Sequence, residues 1–226
     1  MLKAGTEQMP YVDATYQLAG HTRRRFGYES AFKRLLDVLL ATVGLLASAP
    51  IWVAVMVAIK LDSAGPALFV QDRVGIHGRH FRFYKFRSMH AEAEKRLAEI
   101  QDRNEADGPV FKIRRDPRIT RVGAFLRRTS LDELPQLINV LKGDMSIVGP
   151  RPPLPREVAK YAPGDAIRLS VKPGLTCLWQ IRGRSTLSFE AWMEYDREYV
   201  RKLSFWLDLS ILVRTVWAVL SCRGAY

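Results

Sequence analysis

Cysteine is nearly absent, with only Cys177 and Cys222 in 226 residues. That excludes a disulfide scaffold and a zinc site built from several thiolates. Neither cysteine has a basic helper at readable distance, so neither is assigned a role. Histidine is scarce too, at four residues. His77 and His80 have the spacing of half a metal site, but no cysteine or carboxylate stands where it could complete one. They read as surface residues. The chain has no GxSxG, no Walker A sequence, no GxGxxG, no internal repeat and no low-complexity tract. Acid is in deficit: 23 Asp+Glu against 35 Lys+Arg leave a net charge of +12. Such a chain should meet something anionic, whether nucleic acid, an anionic membrane face or phosphorylated substrates. The hydrophobic fraction of 48% and charged fraction of 26% are those of a folded protein.

What is present begins with a long uncharged run, Val38 to Ile59. Its 22 residues would span about 33 Å as a straight helix, enough for a bilayer core. Pro50 sits near the middle, where it removes a backbone bond and pushes against the Leu46 carbonyl, favouring a break. Basic residues flank both sides: Arg23–Arg25, Lys33 and Arg34 before it, Lys60, Arg73 and Arg79 after it. That pattern suits two ends on one cytoplasmic side. A re-entrant hairpin helix accounts for both facts; a spanning helix and a buried core helix are its rivals. Ala47-Ser48-Ala49 imitates a signal-peptidase site, but the region before it is too long for a signal peptide and the apolar run continues past it. Residues 1–32 read as a flexible tail. Phe205 to Leu220 is apolar apart from Asp208 and Arg214, with Trp206 and Trp217 near its ends. It reads either as an interfacial helix or as a core helix.

Between these runs the chain alternates short elements. Phe81–Arg87 predicts a strand and Ala91–Gln101 an exposed helix with a Glu92–Arg96 pair. Asp116-Pro117 marks a turn. Leu134, Leu137, Ile138 and Leu141 have helical spacing, stopped by Gly143. Met145–Val148 predicts a short strand, Gly149–Pro153 rigid non-helical chain, and Ser188–Leu203 a helix. Asp132 and Glu133 are adjacent carboxylates. Ser130-Leu-Asp-Glu133 reads as a capping box, or the pair is a nucleophile or Mg²⁺ ligand. Asp196 shares a helical face with Phe189, Trp192, Met193 and Tyr199, where a carboxylate needs a partner. It is either half of a structural ion pair or a site carboxylate that orients an arginine. Arg151 lies between prolines and is partly pre-organised for a phosphate, unless the segment is a mere linker. Lys85 and Arg87 alternate with Phe83 and Phe86, as phosphate contacts or as a solvated edge. Arg182-Gly-Arg184 is a basic turn that holds a phosphate or faces solvent.

Several segments together resemble one family. They are Lys33-Arg34-x-x-Asp37, Lys85-Phe-Arg-Ser-Met89, Arg128-Thr-Ser-Leu-Asp-Glu-Leu-Pro-Gln136, Gly143-Asp-Met-Ser-Ile-Val-Gly-Pro-Arg-Pro152 and Pro173-Gly-Leu-Thr176. From about Lys33 onward the chain resembles the bacterial sugar transferases, the monotopic phosphoglycosyl transferases. The resemblance implies transfer of a sugar-1-phosphate from a UDP-sugar to undecaprenyl phosphate, with release of UMP, at an Asp-Glu dyad with Mg²⁺. It makes Asp132 the nucleophile that carries the phosphosugar. Glu133 assists through the metal or as acid/base, and Arg151 binds phosphate. Lys85, Arg118, Arg128 and Asp196 fall at positions like the family's polar site. The family usually breaks its membrane helix at Ser-Pro; here the pair is Ala49-Pro50, with Ser48 one residue earlier. No further membrane domain precedes Lys33, which resembles the minimal catalytic form. Leu178-Trp-Gln180 and the Arg-Gly-Ala-Tyr226 ending resemble members that use hexoses, which points to glucose or galactose.

The expected fold is α/β, mainly helical with short strands: a monotopic membrane protein with a Pro-broken re-entrant helix and interfacial amphipathic helices. Residues 33–60 would form the membrane helix and 61–226 the catalytic domain, on the cytoplasmic face of the bacterial inner membrane. The expected partners are the UDP-sugar, undecaprenyl phosphate and the inner membrane, with a homodimer left open and nucleic acid not among them. Two rival readings are a basic nucleic-acid-binding module and a membrane scaffold without chemistry.

Overall fold

The computed structural model describes residues 31–183 and 187–220. The tail expected over 1–32 lies almost wholly outside them, as do Arg184, Cys222 and the C-terminal Arg-Gly-Ala-Tyr226.

The uncharged run forms part of one long helix, α1 (Lys33–Asp62), with Pro50 inside it. The helix is continuous through the proline rather than divided in two. Ser48, just before the Ala49-Pro50 pair, bonds within its own turn. Its hydroxyl donates to the Leu45 carbonyl at 3.3 Å and accepts from the Trp52 indole at 3.2 Å. Asp37, Ala41, Ser48, Val55 and Ile59 are the buried residues of α1. Their spacings of four and seven residues form a single stripe, as a helical period requires. Leu35, Leu39, Val43, Leu46, Val53, Val57 and Leu61 are exposed.

Both ends of α1 are fastened to the rest of the chain. At the start, Lys33 pairs with Asp208 and donates to the Val148 carbonyl. Asp37 accepts from Ser146 Oγ and the Ile147 amide at 2.9 and 2.8 Å. At the far end, Val55 and Ile59 pack with Phe86 and Leu126, and Asp62 accepts from the Val122 amide at 3.1 Å.

The strand pair β1 (Leu68–Val74) and β2 (His80–Phe86) is antiparallel, in register from Leu68↔Phe86 to Val74↔His80. α2 (Arg121–Thr129) begins at Thr120, whose side chain accepts from the Gly123 amide. α3 (Gln136–Lys142) follows and stops at Gly143, φ 87°. Asn139 of α3 is fully buried and holds the free edge of β2, donating to the Arg82 carbonyl and accepting from the Tyr84 amide. β3 (Ser146–Val148) runs parallel to β4 (Gly174–Thr176). Two short helices, α4 (Pro155–Val158) and α5 (Leu178–Arg182), lead to α6 (Phe189–Lys202) and α7 (Phe205–Leu220). The main core gathers Phe83, Leu137, Val140, Met145, Val148, Tyr199 and Ile211 from β2, α3, β3, α6 and α7.

α7 serves both readings offered for it. Ile211 and Asp208 are buried, while Trp206 and Trp217 are 74% and 75% exposed, with Val213 and Val216 also open. Asp208, the acid in an apolar run, is accounted for by Lys33 and the Tyr199 hydroxyl, 2.9 Å away. Two expectations fail. The Ala91–Gln101 segment is a pair of turns followed by a 3₁₀ helix over Lys95–Arg103. Its ion pairs are Glu92–Lys95 and Arg96–Glu99, not Glu92–Arg96. The capping box at Ser130 is also absent. Ser130 adopts φ 58°, ψ 15°, and its side chain caps nothing.

Candidate active site

Four segments converge on Asp132. The left-handed turn at Ser130 ends α2 and throws the chain into a single 3₁₀ turn, Leu131–Glu133, which carries the dyad. Asp132 is 3% exposed, and its Oδ2 lies 3.1 Å from the Lys85 ammonium on β2. Burial pushes the Lys85 pKa down and Asp132 pulls it back up. Glu133 places its Oε1 3.5 Å from Arg151. The side chains of Asp132 and Glu133 make no other hydrogen bond or ion pair among the described residues.

Arg151 is held by its backbone. Pro150 accepts from the Gly174 amide, Arg151 from Arg168, Pro152 from Arg73 and Pro153 from the Val74 amide, all within 3.0 Å. Four consecutive carbonyls are therefore fixed. This strap gives the Pro-flanked arginine its setting, and the reading of the segment as a loose linker falls. Asp196 forms a buried ion pair with Arg168 at 2.8 Å. Burial raises the Asp196 pKa to about 6, against the pull of Arg168. Arg168 also donates to the Tyr161 hydroxyl and the Arg151 carbonyl. The two readings of Asp196 thus merge: it is a structural pair, and that pair holds the strap under a site arginine.

The groups line one cleft of about 870 Å³. Lys85, Arg127, Asp132, Glu133, Arg151 and Arg168 occupy its polar part. Trp179 and Trp192, stacked with ring centroids 4.5 Å apart, form an aromatic wall. Leu40 of α1 and Leu212, Val216 and Val219 of α7 line its apolar end.

The other expected residues are placed differently. Arg87 spends its fork on Ser63 and Ala64 just past α1. Arg118 is clamped on Asp116 through two nitrogens, at 2.9 and 2.7 Å. Both reach the cleft wall with their terminal guanidinium nitrogens engaged elsewhere, Arg118 adding a bond to the Ala93 carbonyl. Arg128 is exposed and does not line the cleft, and Arg184 lies outside the described residues. Arg127 takes the inward place, bonded to Ser88 Oγ at 2.9 Å. Its signal was Gly123, one helical turn earlier: a Cβ there would lie 2.0 Å from the Ser88 carbonyl oxygen, so that face of α2 is the one pressed against the site. Lys112, Arg73, Arg156 and Arg168 also line the cleft and were not anticipated.

Compared with known proteins, residues 28–222 match the family model described as bacterial sugar transferase. The chain belongs to the bacterial sugar transferase family. It is 47% identical over 194 residues to "Galactosyl transferase CpsE" of Streptococcus agalactiae, covering 85% of this chain and 43% of that protein. It is 41% identical over 202 residues to "Undecaprenyl-phosphate galactose phosphotransferase" of Salmonella typhimurium, covering 86% and 41%. Against "Exopolysaccharide production protein ExoY" of Rhizobium meliloti it is 40% identical over 198 residues, covering 86% of this chain and 88% of that one. This sugar transferase therefore spans under half the length of the first two relatives and most of the third.

Proposed function

We propose that this chain transfers a hexose-1-phosphate, of glucose or galactose, from a UDP-sugar to undecaprenyl phosphate at the cytoplasmic face of the inner membrane. The names of the relatives support this, since they include an undecaprenyl-phosphate galactose phosphotransferase and a UDP-glucose:undecaprenyl-phosphate glucose-1-phosphate transferase. The observation that carries it is Asp132, a carboxylate buried at the floor of a cleft with cationic walls and an apolar end. Asp132 attacks the sugar-bearing phosphorus; the P–O bond to UMP breaks, and an aspartyl phosphosugar remains. A phosphate oxygen of the lipid then attacks the same phosphorus, and the bond to Asp132 breaks. Each displacement gathers negative charge that an unassisted carboxylate would repel. Lys85 and Arg127 line the cleft at Asp132, and Arg151 stands at Glu133.

Mg²⁺ fits this donor set. Asp132 and Glu133 each retain an oxygen without a partner among the described residues. No group of three or more metal-ligating side chains occurs there. Mg²⁺ commonly binds to one or two carboxylates with substrate phosphates and water as its other ligands. Asp132 and Glu133 would hold it, and it would neutralise charge on the phosphoryl oxygens.

The test is UMP release from a panel of UDP-sugars by detergent-solubilised protein with undecaprenyl phosphate and Mg²⁺. One hexose donor should give UMP, and Asp132→Asn should abolish turnover while leaving folding and membrane attachment intact. Full activity in Asp132→Asn would remove the nucleophile from this scheme, and a folded protein inert to every donor would leave the scaffold reading.

A further inference from the structure

α3 stops at Gly143, and two cations gather at that stop. Arg34 of α1 reaches the end of α3, donating from Nη1 to the Val140 carbonyl at 2.5 Å and from Nη2 to the Leu141 carbonyl at 2.7 Å. Lys172, two residues before β4, meets it there. A Cβ on Gly143 would lie 3.6 Å from Arg34 Nη2 and 3.7 Å from Lys172 Nζ, so both charges border the space above this glycine. The carbonyl end of a helix attracts cations, and that accounts for Arg34. It does not account for Lys172, whose ammonium makes no hydrogen bond or ion pair among the described residues. The nearby acids are already engaged. Asp37 accepts from Ser146 and Ile147, and Asp144 from Asn139, with Lys142 3.8 Å away. Burial and the Arg34 charge push the Lys172 pKa down, against the pull of Asp37 and Asp144. Two like charges held this close favour an anion between them.

We propose that Arg34 and Lys172 form a binding site for the phosphate of an anionic phospholipid, seated beside Gly143. The proposal rests on α1 entering the bilayer and is independent of the reaction assigned to the cleft. Arg34, Gly143 and Lys172 do not line that cleft. They stand at the opposite end of α3 from Asp132 and Glu133, and a helix of its 7 residues is about 10 Å long. The spacing suits a single phosphate. A charged N–H···O bond is about 2.8 Å long, so two oxygens of one phosphate meet the two nitrogens from the space between them.

A lipid is favoured over a free anion by what adjoins the pair. Phe32, Leu35 and Leu39 are exposed at this end of α1. The apolar surface of the membrane helix thus begins where Arg34 stands, which is the depth of headgroups. A net negative headgroup is favoured over a zwitterionic one by Lys142, the residue before Gly143, whose side chain is half exposed. The ammonium or choline of a zwitterion would be repelled by all three cations. Occupancy also has a structural consequence. Pro173, next to Lys172, accepts from the Ser146 amide at 2.8 Å, and Gly174 donates to Pro150, the residue before Arg151. A phosphate held by Arg34 and Lys172 together fastens α1 to the chain that leads into β4.

The experiment compares wild type, Lys172→Gln, Lys172→Arg and Lys60→Gln as full chains in detergent. Native mass spectrometry measures binding of phosphatidylglycerol and phosphatidylcholine with identical acyl chains, and calorimetry measures inorganic phosphate. Wild type should bind phosphatidylglycerol about tenfold more tightly than phosphatidylcholine. Lys172→Gln should weaken phosphatidylglycerol about tenfold, the loss of one charged hydrogen bond, and leave phosphatidylcholine as it was. Lys172→Arg should keep the wild-type affinity. Lys60→Gln removes an exposed charge at the other end of α1 and should change nothing. Without lipid, Lys172→Gln should unfold at the wild-type midpoint; phosphatidylglycerol should raise the midpoint of wild type and not that of the variant. Unchanged phosphatidylglycerol binding in Lys172→Gln would overturn the site. An equal loss in Lys60→Gln would reduce it to general surface charge. A lower lipid-free midpoint in Lys172→Gln would make Lys172 a structural residue instead. Inorganic phosphate that binds as tightly as phosphatidylglycerol and displaces it would put a free anion in place of the lipid.

Discussion

Ser130 stands directly before the turn that carries Asp132 and Glu133, at φ 58°, where an L side chain brings its Cβ against its own backbone, at a cost of about 1–2 kcal/mol. Nothing in its side chain repays this, since it makes no cap. The conformation is imposed by what it connects: α2 must end and Asp132 must turn inward within two residues. Ser130→Gly removes the Cβ conflict but frees the unfolded chain, so its stability should stay within about 1 kcal/mol of wild type. Ser130→Val should lose about 1–3 kcal/mol, because a β-branched residue is a true outlier there. Thermal unfolding of the detergent-solubilised variants checks both, and equal midpoints for Val and Gly would show that the turn relaxes freely. At this scale the sequence singled out Asp132, Glu133, Lys85 and Arg151 by their distinctive neighbours, and the fold brings all four into one cleft. Arg127 was not among them. Choosing it over Arg128 requires knowing which face of α2 is turned inward, and that is decided by Ser88, more than thirty residues away in the chain.

Elements were legible where one period dominates. The amphipathic runs at Phe189–Lys202 and Phe205–Leu220 and the aromatic-basic alternation of His80–Phe86 all form as their patterns require. The Ala91–Gln101 segment misled because a few charged residues at three- and four-residue spacing suit a 3₁₀ turn as well as an α-helix. Packing of Ala93 and Ile100 decides the matter there. The parallel pair β3–β4 was half legible: Ser146–Val148 had a pattern, whereas Gly174–Thr176 is three residues whose strand character comes from its partner. Its glycine is the point of closest approach. A Cβ on Gly174 would stand 2.0 Å from the Gly149 amide nitrogen and 2.5 Å from its carbonyl oxygen, all backbone that cannot step aside. Gly174→Ala should part the strands, losing the Gly174–Pro150 bond and straining the Gly149–Thr176 bond. The expected loss is about 2–4 kcal/mol. Because Pro150 leads straight into Arg151, activity should fall further than the midpoint of unfolding suggests. Gly164→Ala, which meets nothing within 4 Å, is the matched control, and indistinguishable behaviour of the two would refute the argument.

For the whole molecule the question is where the membrane lies. A straight helix of the 30 residues of α1 would run about 45 Å, more than a bilayer core requires. Length alone would therefore allow it to cross. Its attachments argue otherwise. Lys33, Asp37 and Ala41 are bound to β3, α3 and α7, while Val55, Ile59 and Asp62 are bound to β2 and α2. Carrying either end to the opposite side would uncover Asp208 and Asp37, or strip Phe86 and Leu126 of their cover. A buried carboxylate left without its partner costs about 3–5 kcal/mol. The exposed apolar residues of α1 and the outer face of α7, with Trp206 and Trp217, offer a surface that enters one leaflet without being crossed. The net charge of +12 draws the same body to an anionic leaflet. We therefore expect α1 to enter and leave the bilayer on the cytoplasmic side. In a Cys222→Ser background, where the remaining Cys177 is buried, Arg25→Cys and Lys60→Cys should both resist a membrane-impermeant maleimide in intact spheroplasts. Both should react in inverted vesicles. Labelling of one position from each side would make α1 a spanning helix, and would require the contacts at one of its ends to be broken in the membrane.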